Sequence, residues 1–122
     1  MKSQFFKDEE FQCKCDYLAC IDSYQYMSEG FLQLLFKVRS QIDFPLVITS
    51  GYRCKQHNKD VGGVPHSAHT KGLAVDVRIT SPLDRYELIE QLVYHGLSFG
   101  VYSNFIHIQL KRGDPQCFYG KY

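Results

Sequence analysis

The stretch LAVDVRI, residues 73–79, decides how this chain folds. Its apolar residues alternate, so an extended backbone puts Leu73, Val75, Val77 and Ile79 on one face and Ala74, Asp76 and Arg78 on the other. That is the pattern of a strand with one face in a core. Asp76 is out of place in it. Carboxylates are depleted in strands, and a buried one needs a partner to offset its desolvation. Arg53 and Arg78 are candidate partners, and a bound cation is another.

Working outward, FPLVITSGYR (44–53) has a β-branched apolar run opened by Pro45 and ended by Ser50-Gly51, which predicts a short buried strand over 46–49. Before it, SEGFLQLLFKVRSQ (28–41) predicts a helix beginning near Ser28 that buries Phe31, Leu34, Leu35 and Val38. Between the two strands, CKQHNKD (54–60) reads as a helical turn and VGGVPHSAHTKG (61–72) as a loop. Beyond them, SPLDRYELIEQLVYHG (81–96) predicts a helix with Ser81 as N-cap, Pro82 first, Leu88, Ile89, Leu92 and Val93 inward, and Gly96 as stop. LSFGVY (97–102) and NFIHIQL (104–110) predict two strands turned around Ser103-Asn104, with His107 and Gln109 on the face opposite Ile106, Ile108 and Leu110. Two main helices and about four strands imply an α+β fold: a small, mainly antiparallel sheet with helices packed on one face.

The chain has 122 residues, no repeats and no linker-like tract, and reads as one domain over 1–122. Its net charge of +1 gives no argument for nucleic acid or an anionic membrane as partner. No apolar run approaches membrane-spanning length. MKSQFFKDEEFQCKCDYLAC turns acidic before an apolar run develops, so no signal peptide is read there and synthesis in the cytoplasm is expected. Aromatic residues, at 15%, serve a core or a groove, with Tyr52, Tyr102 and Phe105 as candidate groove walls. Five cysteines exclude a fully paired disulfide framework. Cys13, Cys15 and Cys20 form C-x-C-x4-C, with Cys54 and Cys117 distant in sequence. A structural zinc held by three or four thiolates is one reading, but the spacing is not the usual zinc-knuckle C-x2-C, and the cysteines are read as small buried hydrophobes.

The strands bring chemistry together. Asp76 and His107 project from one sheet face, and His69 reaches in from the preceding loop. Two imidazoles and a carboxylate suit one Zn²⁺ with a position left for water, whose pKa zinc lowers toward neutrality. The cation would also compensate Asp76.

ITSGYR (48–53), SAHTKGLAVD (67–76) and FIHI (105–108) resemble the zinc D-Ala-D-Ala carboxypeptidase family, peptidoglycan peptidases that include phage endolysins, D,D-dipeptidases and the Hedgehog signalling domain. The family signature is S-x-H-x6-D and a distant His, and Ser67, His69, Asp76 and His107 fill each position. EFQCKC, SGYRC and the GG before the motif resemble short single-domain members from phages and prophages. The resemblance implies His69, Asp76 and His107 as ligands of one zinc ion. It implies Arg53 as the group that holds a peptide carboxylate or carbonyl and stabilises the oxyanion, and Ser67 as a substrate or supporting hydrogen-bonder. The substrate it implies is a peptidoglycan stem peptide, and the bond is D-Ala-D-Ala, L-Ala-D-Glu or a cross-bridge. A monomer is expected, acting on the wall if a lytic partner releases it.

In one respect the chain departs from the family. Close relatives usually carry an acid two residues after the last histidine, or an acid or His shortly before it. Here the matching positions read Asn104, Phe105 and Gln109, and an amide has no accessible pKa for proton transfer. Gln109 is therefore read as a substrate-binding amide. His66, beside the motif, is the nearest candidate general base, ahead of Asp114 and His95. His57 and His95 are otherwise read as surface or core residues. The competing reading is a non-catalytic zinc-binding module of the same fold that recognises cell-wall peptide or a protein partner.

Overall fold

Ser28 and Ser81 start the two long helices of the computed structural model, which describes residues 3–111 and 113–119. Each serine accepts a hydrogen bond from the backbone three residues on, Phe31 N–H and Asp84 N–H, satisfying an otherwise orphaned first-turn donor. Helix α1 (Glu29–Ser40) buries Phe31, Leu32, Leu35 and Val38. Leu34, expected inward, is only partly buried, and Leu32 takes its place. A six-residue helix α2 (Lys55–Asp60) forms where a helical turn was predicted, with the Cys54 sulfur at its N-cap. Helix α3 (Pro82–Tyr94) buries Leu88 and Leu92. Val93, expected inward, is 64% exposed. Each residue turns the helix by about 100°, so Val93 points away from fully buried Leu92 toward solvent, while Ile89 is partly buried beside Leu88.

The sheet has five strands: β1 (Val47–Ser50), β2 (Ala74–Arg78), β3 (Ser98–Val101), β4 (Phe105–Gln109) and β5 (Cys117–Tyr119), in the order β1-β2-β4-β3-β5. All pairings are antiparallel except β3 with β5. The architecture is α+β, as the alternation predicts. Val75, Val77, Ile106 and Ile108 point into one core with Phe31, Leu35, Val38, Leu88 and Leu92 from the helices. β5 was not anticipated. It has no apolar alternation of its own and is docked by Gln116, whose N–H donates to the Ser98 hydroxyl and whose carbonyl accepts from Phe99 N–H.

Two features place the site. β1 carries an irregularity against β2 between Ile48 and Ser50, a bulge that alters the direction of the chain leading to Arg53. The N-terminal segment, assigned no element from sequence, forms three 3-10 turns (Asp8–Phe11, Leu18–Cys20 and Ser23–Tyr26). It lies against the same loop: Tyr52 N–H donates to the Phe11 carbonyl at 2.9 Å, and a Cβ on Gly51 would sit 2.7 Å from Phe11 Cα. Among the described residues no helix is long and apolar enough to cross a membrane.

Candidate metal centre

Asp76 and His107 face each other across the β2–β4 ladder as register partners. His69 lies on a 3-10 turn (Ala68–Lys71) whose N-cap is Ser67. The Ser67 hydroxyl accepts from His69 N–H at 3.2 Å, and Gly72 closes the turn with φ +70°. Local sequence thus fixes His69 near the start of a capped turn, and the strands bring the other two residues to it.

At the centre, Asp76 Oδ1 lies 2.8 Å from His107 Nδ1 and 3.2 Å from His69 Nε2. The tautomers follow from the far side of each ring. His69 Nδ1 must donate to the Gly51 carbonyl, 2.8 Å away, which leaves the Nε2 lone pair facing Asp76. His107 Nε2 donates to Gln109 Oε1 at 2.7 Å, leaving its Nδ1 lone pair facing the same oxygen. Two imidazole lone pairs and a carboxylate oxygen therefore converge on one place, which is repulsive unless a cation sits among them. His69, Asp76 and His107 present ligand atoms all within 4.8 Å of one another. Donor type, tautomer and spacing all fit a zinc ion.

Asp76 is also the hub of the surrounding electrostatics. Its Oδ2 accepts from the Arg53 guanidinium at 3.3 Å. Burial alone would raise its carboxyl, but when no cation occupies the site and each ring instead carries a proton toward Asp76, hydrogen bonds from His107 and His69, with their charge, hold it well below the usual carboxylate range. Arg53 is fixed at two further points: its Nε donates to the Ser50 hydroxyl at 3.1 Å and one terminal nitrogen to Asn58 Oδ1 at 3.2 Å. Buried Asn58 also donates to the Val64 carbonyl at 2.9 Å, tying Arg53 to the loop above the site. Sequence reasoning missed Asn58. A lone amide in a charged helical turn carries no signal until the turn is folded beside Arg53.

These residues line a cleft of about 280 Å³ that includes Arg53, Ser67, His69, Asp76, His107 and Gln109. Tyr102 and Phe105, expected as groove walls, line it as a stacked pair with ring centroids 4.4 Å apart. Tyr52 does not; its ring packs against Tyr26. Phe118, on the unanticipated β5, completes the wall beside His107, with ring centroids 5.9 Å apart. Gly100 admits that ring, since a Cβ there would meet Phe118 Cδ2 at 2.6 Å.

His66 is exposed and outside this cleft; it lines a separate cavity with Lys55, Lys59 and Pro65. His95 and Asp114 are also absent from the lining, so the structure brings none of the three base candidates to the donor set. Pro65 and the positive φ of His66, +59°, turn its backbone away one residue before the Ser67 cap. Asp76 is the one carboxylate among the described lining residues. Gln109 points into the cleft with its amide oxygen engaged by His107.

A family model described as peptidase M15 matches residues 4–109. A search of curated proteins returns no match.

Proposed function

The chain belongs to the peptidase M15 family, and from that premise we propose that it is a zinc metallopeptidase hydrolysing an amide bond in peptidoglycan stem peptides, as a D,D-carboxypeptidase or an endopeptidase. The observation that carries this reading is the convergence of the His69, Asp76 and His107 donor atoms inside a cleft that Arg53 shares. His69 Nε2, Asp76 Oδ1 and His107 Nδ1 would hold the metal. Zinc bound there would polarise a water and lower its pKa toward neutrality.

The chain's own residues do the rest. Gly51 and Gln109 hold the imidazoles in the tautomers that present their lone pairs. Ser67 caps the turn that aims His69. Ser50, Asn58 and Asp76 fix the Arg53 guanidinium, and each of its terminal nitrogens keeps a second N–H for a peptide carboxylate or carbonyl oxygen. A guanidinium held in place beforehand loses little freedom when it binds substrate and favours the negative charge that develops on the carbonyl. The stacked Tyr102–Phe105 pair gives the peptide an apolar wall.

The competing reading, a zinc-dependent peptide-binding module, is favoured by one observation: no described lining residue supplies a second carboxylate. Mass spectrometry of peptidoglycan fragments incubated with zinc-loaded protein separates the two. New fragments that disappear with chelator establish the peptidase, and their masses name the bond. Intact fragments across several wall chemistries, together with zinc-dependent retention of the same fragments by the protein, would favour the binding module.

Gln109 has a role this structure makes testable. Gln109→Ala removes the acceptor for His107 Nε2 and is expected to lower zinc affinity or turnover about 10–100-fold. Gln109→Glu keeps an acceptor oxygen and should restore most of the loss of zinc affinity. Equal zinc affinity and turnover in Gln109→Ala and wild type would exclude the role.

A further inference from the structure

Cys13, Cys15, Cys20 and Cys54 form a second group of donors, with sulfurs all within 4.8 Å of one another. The reading of the cysteines as buried hydrophobes accounts for the burial of Cys13 and Cys20 but not for this convergence. Three of the sulfurs come from the N-terminal 3-10 segment, and the fourth comes from the residue after Arg53. We propose that these four cysteines form a structural tetrathiolate site for Zn²⁺, distinct from the His69–Asp76–His107 centre.

Three observations carry it. The first is the spacing. A Zn–S bond of about 2.3 Å in a tetrahedron implies S···S edges of about 3.8 Å, so sulfurs already within 4.8 Å need only small side-chain shifts to close on an ion. The second is the backbone. Cys54 N–H donates to Cys13 Sγ and His57 N–H to Cys54 Sγ, both at 3.3 Å, the kind of bond that stabilises thiolates. The third is the surrounding scaffold, which is hydrogen-bonded in place. Cys13 N–H donates to the buried Ser23 hydroxyl at 2.9 Å, and Cys54 caps α2.

A structural zinc is four-coordinate with no water, and four thiolates close such a site. Its consequence reaches the cleft. Arg53 lies between Gly51, packed on Phe11, and Cys54, held to Cys13. An ion here would fasten the N-terminal segment to the loop that presents the guanidinium.

The inference does not depend on the peptidase reading, and the two fail separately. Metal analysis of protein purified under reducing conditions with zinc should give two equivalents for wild type and one for His69→Ala. One equivalent in wild type and none in His69→Ala would overturn the proposal. A Cys15→Ser, Cys20→Ser variant should lose one equivalent and retain the other. Because that variant risks misfolding, thiol titration of the wild type is the independent measurement. Exposed Cys117 is the internal control. In zinc-loaded native protein one thiol should react rapidly, and the other four only after chelator is added. Rapid reaction of all five, or two disulfides among the four in the reduced preparation, would overturn the site. Cobalt loaded into His69→Ala should show the intense charge-transfer absorption of a cobalt thiolate, and its absence would overturn it as well.

Discussion

Asp76→Ala is expected to abolish stoichiometric zinc at the His69–His107 centre, reduce any peptidase activity by orders of magnitude and lower stability by about 3–5 kcal/mol. The size follows from what Asp76 touches. One carboxylate, largely buried, faces His69, His107 and Arg53 at 2.8–3.3 Å. Truncation leaves a guanidinium without its ion pair and two imidazoles without their common partner. A urea midpoint shifted well down at unchanged m-value would show it, while wild-type zinc content at this centre would refute the ligand assignment. The pH dependence has a definite sign. The folded carboxyl is held below its unfolded value of about 3.9, so its stabilisation is fully present above that value and is lost only as pH falls through the folded value. In chelator-treated protein the stability gap between wild type and Asp76→Asn should therefore be full at neutral pH and shrink in strong acid. A gap that widens as pH falls below 4 would contradict the shift.

Gly72→Ala should be almost as damaging, for a steric reason. Gly72 has φ +70°, where a side chain is strained, and a Cβ would meet the Tyr26 carbonyl oxygen and lie 2.9 Å from Met27 Cα. Both obstacles are backbone, which cannot swing aside. Left-handed strain and overpacking together predict a loss of about 2–5 kcal/mol. The turn carrying His69 should loosen with it, because Gly72 N–H donates to the His69 carbonyl and the Gly72 carbonyl accepts from Ser28 N–H at the start of α1. Gly62→Ala is the control. Its φ is +76° with nothing within 4 Å of an added Cβ, so it carries the strain without the clash. Equal destabilisation of the two variants would remove the clash from the account.

Much of the strand and helix plan is legible because each element carries its own periodicity. The alternation of residues 73–79 and 105–109 sets which side chains share a face, and a residue on the wrong face is expensive whatever surrounds it. The caps are legible too, since Ser28 and Ser81 act within a single turn. Strand alternation only suggests His69, Asp76 and His107 as a set; it is the resemblance to the zinc D-Ala-D-Ala carboxypeptidase family, position by position, that singles them out. Val93 and Leu34 are less buried than periodicity predicts, because a helix's buried arc is set by the elements packed against it, which its own periodicity does not encode.

What only the tertiary structure decided lies between segments distant in the chain. β5 is docked by the bonds from Ser98 and Phe99 to Gln116 and by pairing with β3; the three residues CFY suit a strand but are too few to show an alternation. His66 is three positions from His69 and yet lines another cavity, and its own backbone is at positive φ just before the Ser67 cap. Asn58 becomes the clamp on Arg53, and Cys54 the fourth sulfur beside Cys13, only once the loop after β1 folds over the N-terminal segment. Periodicity reports which way a side chain points within its own element. Which distant group it meets depends on the packing of whole elements, where burial energy is settled over many residues at once.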